Sequence, residues 1–326
     1  MASNLVAHDI SRLVLWSRTN RLLLALEAAG GDPSGFPTPK WSIEATFEQM
    51  DKTVSGTAIL SLTAPGVQIV PLEEQAKFAR SVNETAANLR DENPRVGFFA
   101  AVPSLHETTA AIEEIAYALD VLKADGITLF TRYGNGHYYL GHKLFRPIWE
   151  ELNRRKAVVF IHPTHSLNTD IWNPILPQPV IDYPHETART AFDMISTNTK
   201  RDFPDCKVIL SHAGGTLPLL LLRASSVIGM TSRGSKSAES VMEDAESFYY
   251  DLALSSSSHV LDTLLNHIPH DHILYGSDFP YAPAVVGEMF TKLLDEYKLS
   301  DETRELIYYK NAHKLFPRLA GVAQSK

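Results

Sequence analysis

The sequence predicts an α/β fold and, within that class, a closed (β/α)8 TIM barrel. Three observations support this prediction. The chain has 326 residues, a length typical of one such barrel with insertions. Its strand candidates are continuous apolar runs instead of alternating ones, which is typical of strands buried on both faces. Each run is followed by a helix-like segment, and this alternation indicates a parallel sheet.

Seven clear strand candidates follow one another along the chain. The first is β-branched and apolar (TAILSL) and ends at Pro65-Gly66, and the second ends at Pro103. The segments between the runs carry apolar residues at helical spacing. The predicted strands are 57–62, 96–102, 126–130, 157–161, 207–211, 248–252 and 272–276. The predicted helices are 73–90, 108–122, 145–154 and 187–196.

An eighth strand, atypical in sequence, is expected near the N-terminus, and eight strands favour a closed barrel. An open, doubly wound sheet is the alternative, because the pattern alone does not determine whether the sheet closes. The sequence contains no Gly/Ser-rich or Pro-rich linker and no repeat of fixed period. We therefore expect residues 1–326 to form a single domain.

Composition narrows the classes of partner and compartment. The chain is 44% hydrophobic and 21% charged, as in soluble globular proteins. A formal net charge of -8 argues against a nucleic-acid partner, since phosphate binding requires clustered Lys and Arg.

The single cysteine, Cys206, precedes an apolar run and is expected to be buried. Without a possible internal disulfide or a signal peptide, the expected compartment is the cytosol. The apolar stretch 13–26 contains Arg18 and Arg21, so no membrane span is expected.

Three polar residues follow apolar runs at the point where a strand should end. They are His162, His212 and Asp278. In a barrel, the carboxyl ends of the strands form the catalytic face. Imidazole and carboxylate groups are ligands for divalent metals. Each residue alone also fits a structural role, a hydrogen-bonded histidine or a turn-forming aspartate, but three at equivalent positions favour a site.

The segments that carry these residues resemble one family. FIHP at 160–163, LSHAGG at 210–215 and LYGSDFP at 274–280 resemble the amidohydrolase-related, metal-dependent decarboxylases, such as the aminocarboxymuconate-semialdehyde and o-hydroxybenzoate decarboxylases. LEAAGGD at 26–32 and TAPGV at 63–67 resemble the fungal 6-methylsalicylate decarboxylase type. The resemblance extends from about residue 25 to the C-terminus.

The resemblance implies a barrel of the metal-dependent hydrolase type and a carboxy-lyase that acts on a small aromatic acid such as 6-methylsalicylate. The implied cofactor is a divalent metal, zinc first and manganese second. His162 and Asp278 match metal ligands, and Asp278 and His212 match catalytic residues. Arg223 matches an arginine that some members insert into the neighbouring subunit's site, which implies a homodimer.

Residues 1–24 depart from the family pattern. The family opens with a strand that carries His-x-His, whereas this chain has His8 followed by Asp9 and Ile10. His8 is thus the one remaining candidate ligand in that strand, and we expect weak metal binding. A replaced first exon and a shift to a metal-free role both explain the departure. The first is favoured because the other three motifs are intact.

Further residues are candidates for substrate binding. Arg132 follows the predicted strand 126–130 and has a side chain suited to pairing with a carboxylate, although an exposed loop arginine is the alternative. Trp172 and the aromatic residues within 133–139 are candidates for an aromatic pocket or for loop packing.

Two other functions stay open. One is a metal-dependent hydrolase of a lactone or similar carbonyl compound, and the other is a non-catalytic paralogue or binding protein.

Overall fold

Eight parallel strands form one sheet in which neighbours follow chain order. The computed structural model describes residues 4–9, 21–231 and 236–322, and for 4–9 and 21–24 it describes the backbone only. The strands are β1 (Asn4–Asp9), β2 (Ser55–Ser61), β3 (Val96–Ala100), β4 (Gly126–Phe130), β5 (Val158–His162), β6 (Lys207–Leu210), β7 (Tyr249–Asp251) and β8 (Ile273–Leu274). All seven strands predicted from apolar runs are confirmed, with bounds that shift by a few residues.

Helices fill the connections between strands, as parallel neighbours require. The helices are α1 (Arg21–Ala28), α2 (Ile43–Lys52), α3 (Leu72–Glu92), α4 (Thr108–Asp120), α5 (Arg146–Arg154), α6 (Gln178–Ser196), α7 (Thr199–Asp202), α8 (Leu217–Met230), α9 (Ala238–Glu246), α10 (Ser258–His267), α11 (Ala284–Glu296), α12 (Asp301–Glu305), α13 (Asn311–Leu315) and α14 (Pro317–Ala320). Helix α6 begins nine residues before the predicted helix. Its first turn tolerates Pro179, and Pro184 lies inside it, so two residues that usually interrupt a helix hid its start.

Alternate residues of each strand face opposite sides of the sheet. Ala58 and Leu60 of β2 pack into the large core formed with the helices. Ile59, between them, packs into a second, inner cluster. The inner cluster combines apolar residues of six strands and of the C-terminal helices: Ile59, Phe99, Val158, Phe160, Ile209, Tyr249, Leu274, Ala312, Phe316 and Leu319. Residues from strands so far apart in the sheet meet because the sheet curls, so the fold is α/β and barrel-like.

The first strand is present despite its atypical sequence. β1 pairs in parallel with β2, and His8 lies opposite Leu60 in the ladder. The side chain of His8 lies outside the described residues, as does Ile10. The proposed role of His8 as a metal ligand therefore stays a prediction.

Helix α8 carries an exposed apolar face. Leu219, Leu222 and Met230 are 69%, 68% and 83% exposed. By length and composition alone, the stretch His212–Met230 is apolar enough to cross a membrane, and 33% of it is buried. It is not one continuous helix, because the backbone of residues 212–215 has positive φ angles before α8 begins.

Candidate active site

A cavity of about 430 Å³ opens at the carboxyl ends of the strands. His162, His212 and Asp278 all line it, so the structure brings the three predicted residues together. Each lies at or just after the end of a different strand: β5, β6 or β8. They lie together because parallel strands deliver their carboxyl ends to the same face of the fold.

His162 is held in one orientation and one tautomer. It is the last residue of β5 and faces the same side of the sheet as Phe160, two residues earlier. Its Nδ1 lies 2.6 Å from the carbonyl oxygen of Pro163. Because a carbonyl only accepts, Nδ1 must donate its proton, which leaves Nε2 as the basic nitrogen of the neutral ring. The hydroxyl of Thr63, another cavity residue, lies 3.1 Å from Nε2.

The ring of His162 is also enclosed by aromatic side chains. Phe130 and Tyr183 approach it edge-on, each with a centroid distance of 6.2 Å. The residue is 3% exposed. Packing and the Pro163 hydrogen bond therefore fix the ring before any ligand binds.

His212 is fixed in the same way. Its Nδ1 lies 3.0 Å from the carbonyl oxygen of Ala253, so Nδ1 carries the proton and Nε2 is the basic nitrogen of the neutral ring. Its backbone N–H donates to Oδ1 of Asp251 at 3.0 Å, and the same oxygen accepts the N–H of Ala253 at 2.9 Å. Asp251 thus joins the loops after β6 and β7 and positions His212. The ring centroids of His212 and His162 are 6.4 Å apart.

The turn after β6 depends on close backbone approach. His212 and Ala213 have φ angles of 54°, which L-residues rarely adopt. Gly215 follows with φ 61°, and a Cβ at this position would lie 2.0 Å from the carbonyl oxygen of Pro184 in α6. That carbonyl accepts the N–H of Thr216. The glycine is therefore required by both its conformation and its contact with α6.

Asp278 completes the trio from the last strand. Its φ is 57°, and the residue is 9% exposed. Its main-chain carbonyl accepts the N–H of Ala282 at 2.7 Å, which closes the loop before α11. This turn places the carboxyl group on the wall of the cavity.

Asp32 is a further cavity residue, one that was not predicted to belong to the site. Its Oδ1 accepts the N–H of Ser34 at 2.8 Å, and the carbonyl of Ser34 accepts the N–H of Gln178 in α6. Burial raises the pKa of the Asp32 carboxyl, and hydrogen bonds from Ser34 and the charge of His162 oppose this shift. An Asp-Pro-Ser-Gly pattern is typical of a turn but does not tell which surface the turn faces.

The rest of the cavity wall is mainly apolar. The rings of Phe36 and Tyr281 lie 5.9 Å apart. The apolar residues beside them are Ala64, Pro179, Val180, Leu254, Val286 and Phe290. The cavity thus combines a cluster of imidazole and carboxyl groups with an apolar wall, a combination suited to a flat ligand with one polar edge.

The three predicted substrate-binding residues do not line the cavity. Arg132 is buried, and its guanidinium donates to the carbonyls of His165, Gly134 and Ser166 at 2.7–3.0 Å. This arginine therefore holds two loops together, and we revise its predicted contact with substrate. Trp172 is 65% exposed, and Arg223 is exposed on α8. Of the two alternatives for the aromatic residues within 133–139, the structure favours loop packing, with Tyr133 in the core.

The donor atoms of the trio suit a divalent metal. Each histidine donates its Nδ1 proton to a carbonyl, the arrangement that commonly orients Nε2 of a metal-ligating histidine. Within residues 25–231 and 236–322, however, no three His, Cys, Asp or Glu side chains form a group close enough to enclose a metal ion. A complete set of ligands thus requires a group beyond these side chains.

Comparison with known proteins identifies the family to which this cavity and its residues belong. The model of the amidohydrolase family matches residues 28–318. The chain belongs to the amidohydrolase family. The match begins after the atypical residues 1–24, in agreement with the family resemblance from about residue 25.

Individual relatives make the family assignment more specific. The chain is 49% identical over 301 residues to the 6-methylsalicylic acid decarboxylase of Penicillium expansum, covering 91% of this chain and 93% of the relative. A crystal structure of an amidohydrolase II superposes with a TM-score of 0.86 at 27% identity, covering 96% and 99% of the two chains. A Polaromonas dihydroxybenzoic acid decarboxylase, solved with manganese and 2-nitroresorcinol, shares the fold, with a TM-score of 0.79 at 20% identity over 97% of each chain.

Replacing Gly215 by alanine should lower the free energy of unfolding by about 2–4 kcal/mol, because the new Cβ collides with a main-chain oxygen at a positive φ. Urea unfolding followed by circular dichroism measures the change. Gly321→Ala is the control, since a Cβ there meets no atom within 4 Å, and its effect should stay below about 0.5 kcal/mol. Equal stability of the two variants would contradict the role assigned to Gly215.

Proposed function

We propose that this chain is a non-oxidative carboxy-lyase that releases CO2 from a small aromatic acid such as 6-methylsalicylate. The observation that carries the proposal is the 49% identity, over nearly the whole length, to a 6-methylsalicylic acid decarboxylase. The gathering of His162, His212 and Asp278 in one cavity supports it, because a decarboxylase of this kind needs a proton donor beside the bound ring.

The proposed substrate, like the cavity, has one polar side and one apolar side. In 6-methylsalicylate the carboxylate and the hydroxyl lie on adjacent ring carbons, so one edge of the molecule is polar. The ring and methyl group are apolar and suit the wall around Phe36, Tyr281 and Phe290. A cavity of about 430 Å³ lies within the usual range for sites that bind small molecules.

The chemistry assigned to the trio is proton transfer to carbon. The Asp278 carboxyl donates a proton to the ring carbon that bears the carboxylate, forming a C–H bond. The bond between that carbon and the carboxylate then breaks, its electron pair restores the aromatic ring, and CO2 and 3-methylphenol leave. His212, held by Ala253 and Asp251, orients the substrate through Nε2 and stabilises the charge that develops.

We further propose that His162 and Asp278 hold a divalent metal, zinc or manganese, with His8 as a further candidate ligand. The support is the orientation of Nε2 of His162 and the manganese bound to the Polaromonas relative. When bound, the metal acts as a Lewis acid and as a template for the carboxylate and phenol oxygens.

The assembly is also a proposal. We propose that the whole chain is one domain whose sheet closes as a (β/α)8 barrel, and that two copies form a homodimer through α8. The support for the dimer is the exposed face of α8, where Leu219, Leu222 and Met230 share one side of the helix with Arg223. In such a dimer Arg223 would reach the partner's cavity.

Replacing His212 by asparagine should lower kcat for CO2 release from 6-methylsalicylate about 10²–10⁴-fold, because the basic nitrogen of the ring is lost. CO2 and 3-methylphenol are measured together. His267→Asn is the matched control: His267 is exposed on α10, and this variant should keep full activity. Hydrolysis of lactones without CO2 release would favour a hydrolase. If the wild-type protein shows no turnover at all, a non-catalytic paralogue is favoured.

Restoring the family's first-strand motif should restore metal binding. The wild-type protein should purify with well under one metal ion per chain. The variant Ile10→His, which creates His-x-His, should raise the metal content toward one ion per chain. Elemental analysis after incubation with Zn²⁺ or Mn²⁺ gives the content. Ile175→His, at an isoleucine that is 82% exposed, controls for an added histidine. One tightly bound ion in the wild-type protein would contradict the expected weak metal binding.

Placing charges on α8 should dissociate the proposed dimer. The double variant Leu219→Glu/Leu222→Glu should behave as a monomer in light scattering, where the wild type is a dimer, because two carboxylates oppose burial of this face. Leu144→Glu, at a leucine that is 49% exposed elsewhere, should leave the dimer intact. A monomeric wild type that sediments with lipid vesicles would instead assign the face to a membrane.

A further inference from the structure

A second cavity, of about 350 Å³, lies at the opposite end of the sheet from the active site. Lys207 begins β6, Tyr249 begins β7, and His272 directly precedes β8, so the cavity lies at the amino ends of these strands. None of its residues lines the active-site cavity. The lining residues are Lys200, Arg201, Pro204, Cys206, Lys207, Glu243, Asp244, Ser247, Tyr249 and His272.

Lys200, in α7, is buried at this cavity. The residue is 5% exposed, and its Nζ lies 5.6 Å from the centroid of the Phe248 ring. Among the residues that the structure describes, Nζ makes no hydrogen bond and no ion pair. Burial of an ammonium away from hydrogen-bond acceptors is unfavourable and raises the fraction of neutral amine. Burial, aided by the charge of Lys207, lowers the pKa of Lys200 to about 8.

The nearby carboxylates are already engaged by other cations. Asp244 forms ion pairs with Lys236 and with Arg201, the latter at 2.9 Å. Glu243 pairs with Arg201, also at 2.9 Å. Lys207 is exposed and has no ion pair within the described part of the chain. Among the residues that line the cavity, three lysine and arginine side chains accompany two carboxylates, and an added negative charge at Lys200 would reduce this imbalance.

We infer that Lys200 is a carbamylation site, at which the buried amine captures CO2 as a lysine carbamate. The neutral Nζ attacks the carbon of CO2 and forms an N–C bond, one C=O electron pair moves to oxygen, and a proton leaves Nζ for water. No oxidant or reductant is needed. The cavity holds the small adduct, and Lys207, whose charge acts on Lys200 and which forms no ion pair within the described part of the chain, is the cation left to pair with the new carboxylate.

The thiol that lines the cavity does not compete with Lys200. The thiol of Cys206 is 1% exposed, and burial raises its pKa to about 12, so it stays protonated at neutral pH. The physiological source of CO2 rests on the proposed function, since a carboxy-lyase releases CO2 at each turnover. The chemistry of the site itself does not, because dissolved bicarbonate supplies CO2 without any substrate.

Trapping the adduct tests the inference without using catalysis. The full-length protein is incubated with ¹³C-bicarbonate at pH 7.5, the carbamate is alkylated with triethyloxonium, and the digest is analysed by mass spectrometry. At this pH Lys200 has roughly a hundredfold more neutral amine than an exposed lysine, so its label should exceed that on the exposed Lys77 by at least about tenfold. Label on Lys200 no greater than on Lys77 would overturn the inference.

Stability provides a second readout. Bicarbonate should raise the midpoint of thermal unfolding of the wild-type protein by about 1–2 °C relative to chloride at equal ionic strength. The shift should vanish in Lys200→Arg and in Lys200→Met, provided that both variants fold by circular dichroism. An equal shift with acetate, together with no trapped label, would show reversible anion binding only and overturn the covalent assignment. Activity on 6-methylsalicylate is assayed separately, so failure of the proposed function leaves this test intact.

Discussion

Alternate residues of β5 face opposite sides of the sheet, so that Val159 and Ile161 pack against the helices while Phe160 and His162 face the interior. The same alternation holds in β2, where Ile59 is in the inner cluster and Ser61 donates or accepts a hydrogen bond across to Thr128 of β4. The apolar layer fills the inside of the curled sheet. The next inward-facing residue toward the carboxyl end of the strand, such as His162, is polar. The active-site cavity depends on this layering.

Orientation within the cavity comes from main-chain groups. His162 and His212 each donate Nδ1–H to a carbonyl oxygen, of Pro163 and Ala253, and each therefore directs a basic Nε2 away from the backbone. The loops that supply these carbonyls follow strands and are held by buried groups such as Asp251. The imidazoles are thus preorganised by the fold, which removes the cost of ordering them when substrate binds.

Both ends of the sheet bury ionisable side chains, but the types of side chain differ. At the carboxyl end, imidazole and carboxyl groups share one cavity with an apolar wall. At the amino end, lysine and arginine side chains outnumber carboxylates, and Lys200 is buried among them. In both places burial shifts a pKa toward the neutral form, upward for Asp32 and downward for Lys200.

The sequence by itself determined the fold class, seven of the strands and three residues of the cavity, because continuous apolar runs and the polar residues after them are local signals. It did not reveal Asp32, whose turn is local but whose burial depends on α6. It also misjudged Arg132, because chemistry alone does not tell whether a guanidinium meets a substrate or the carbonyls of two loops. The conformation around His212 and the burial of Lys200 were decided only by tertiary structure, since both depend on contacts between segments far apart in the chain.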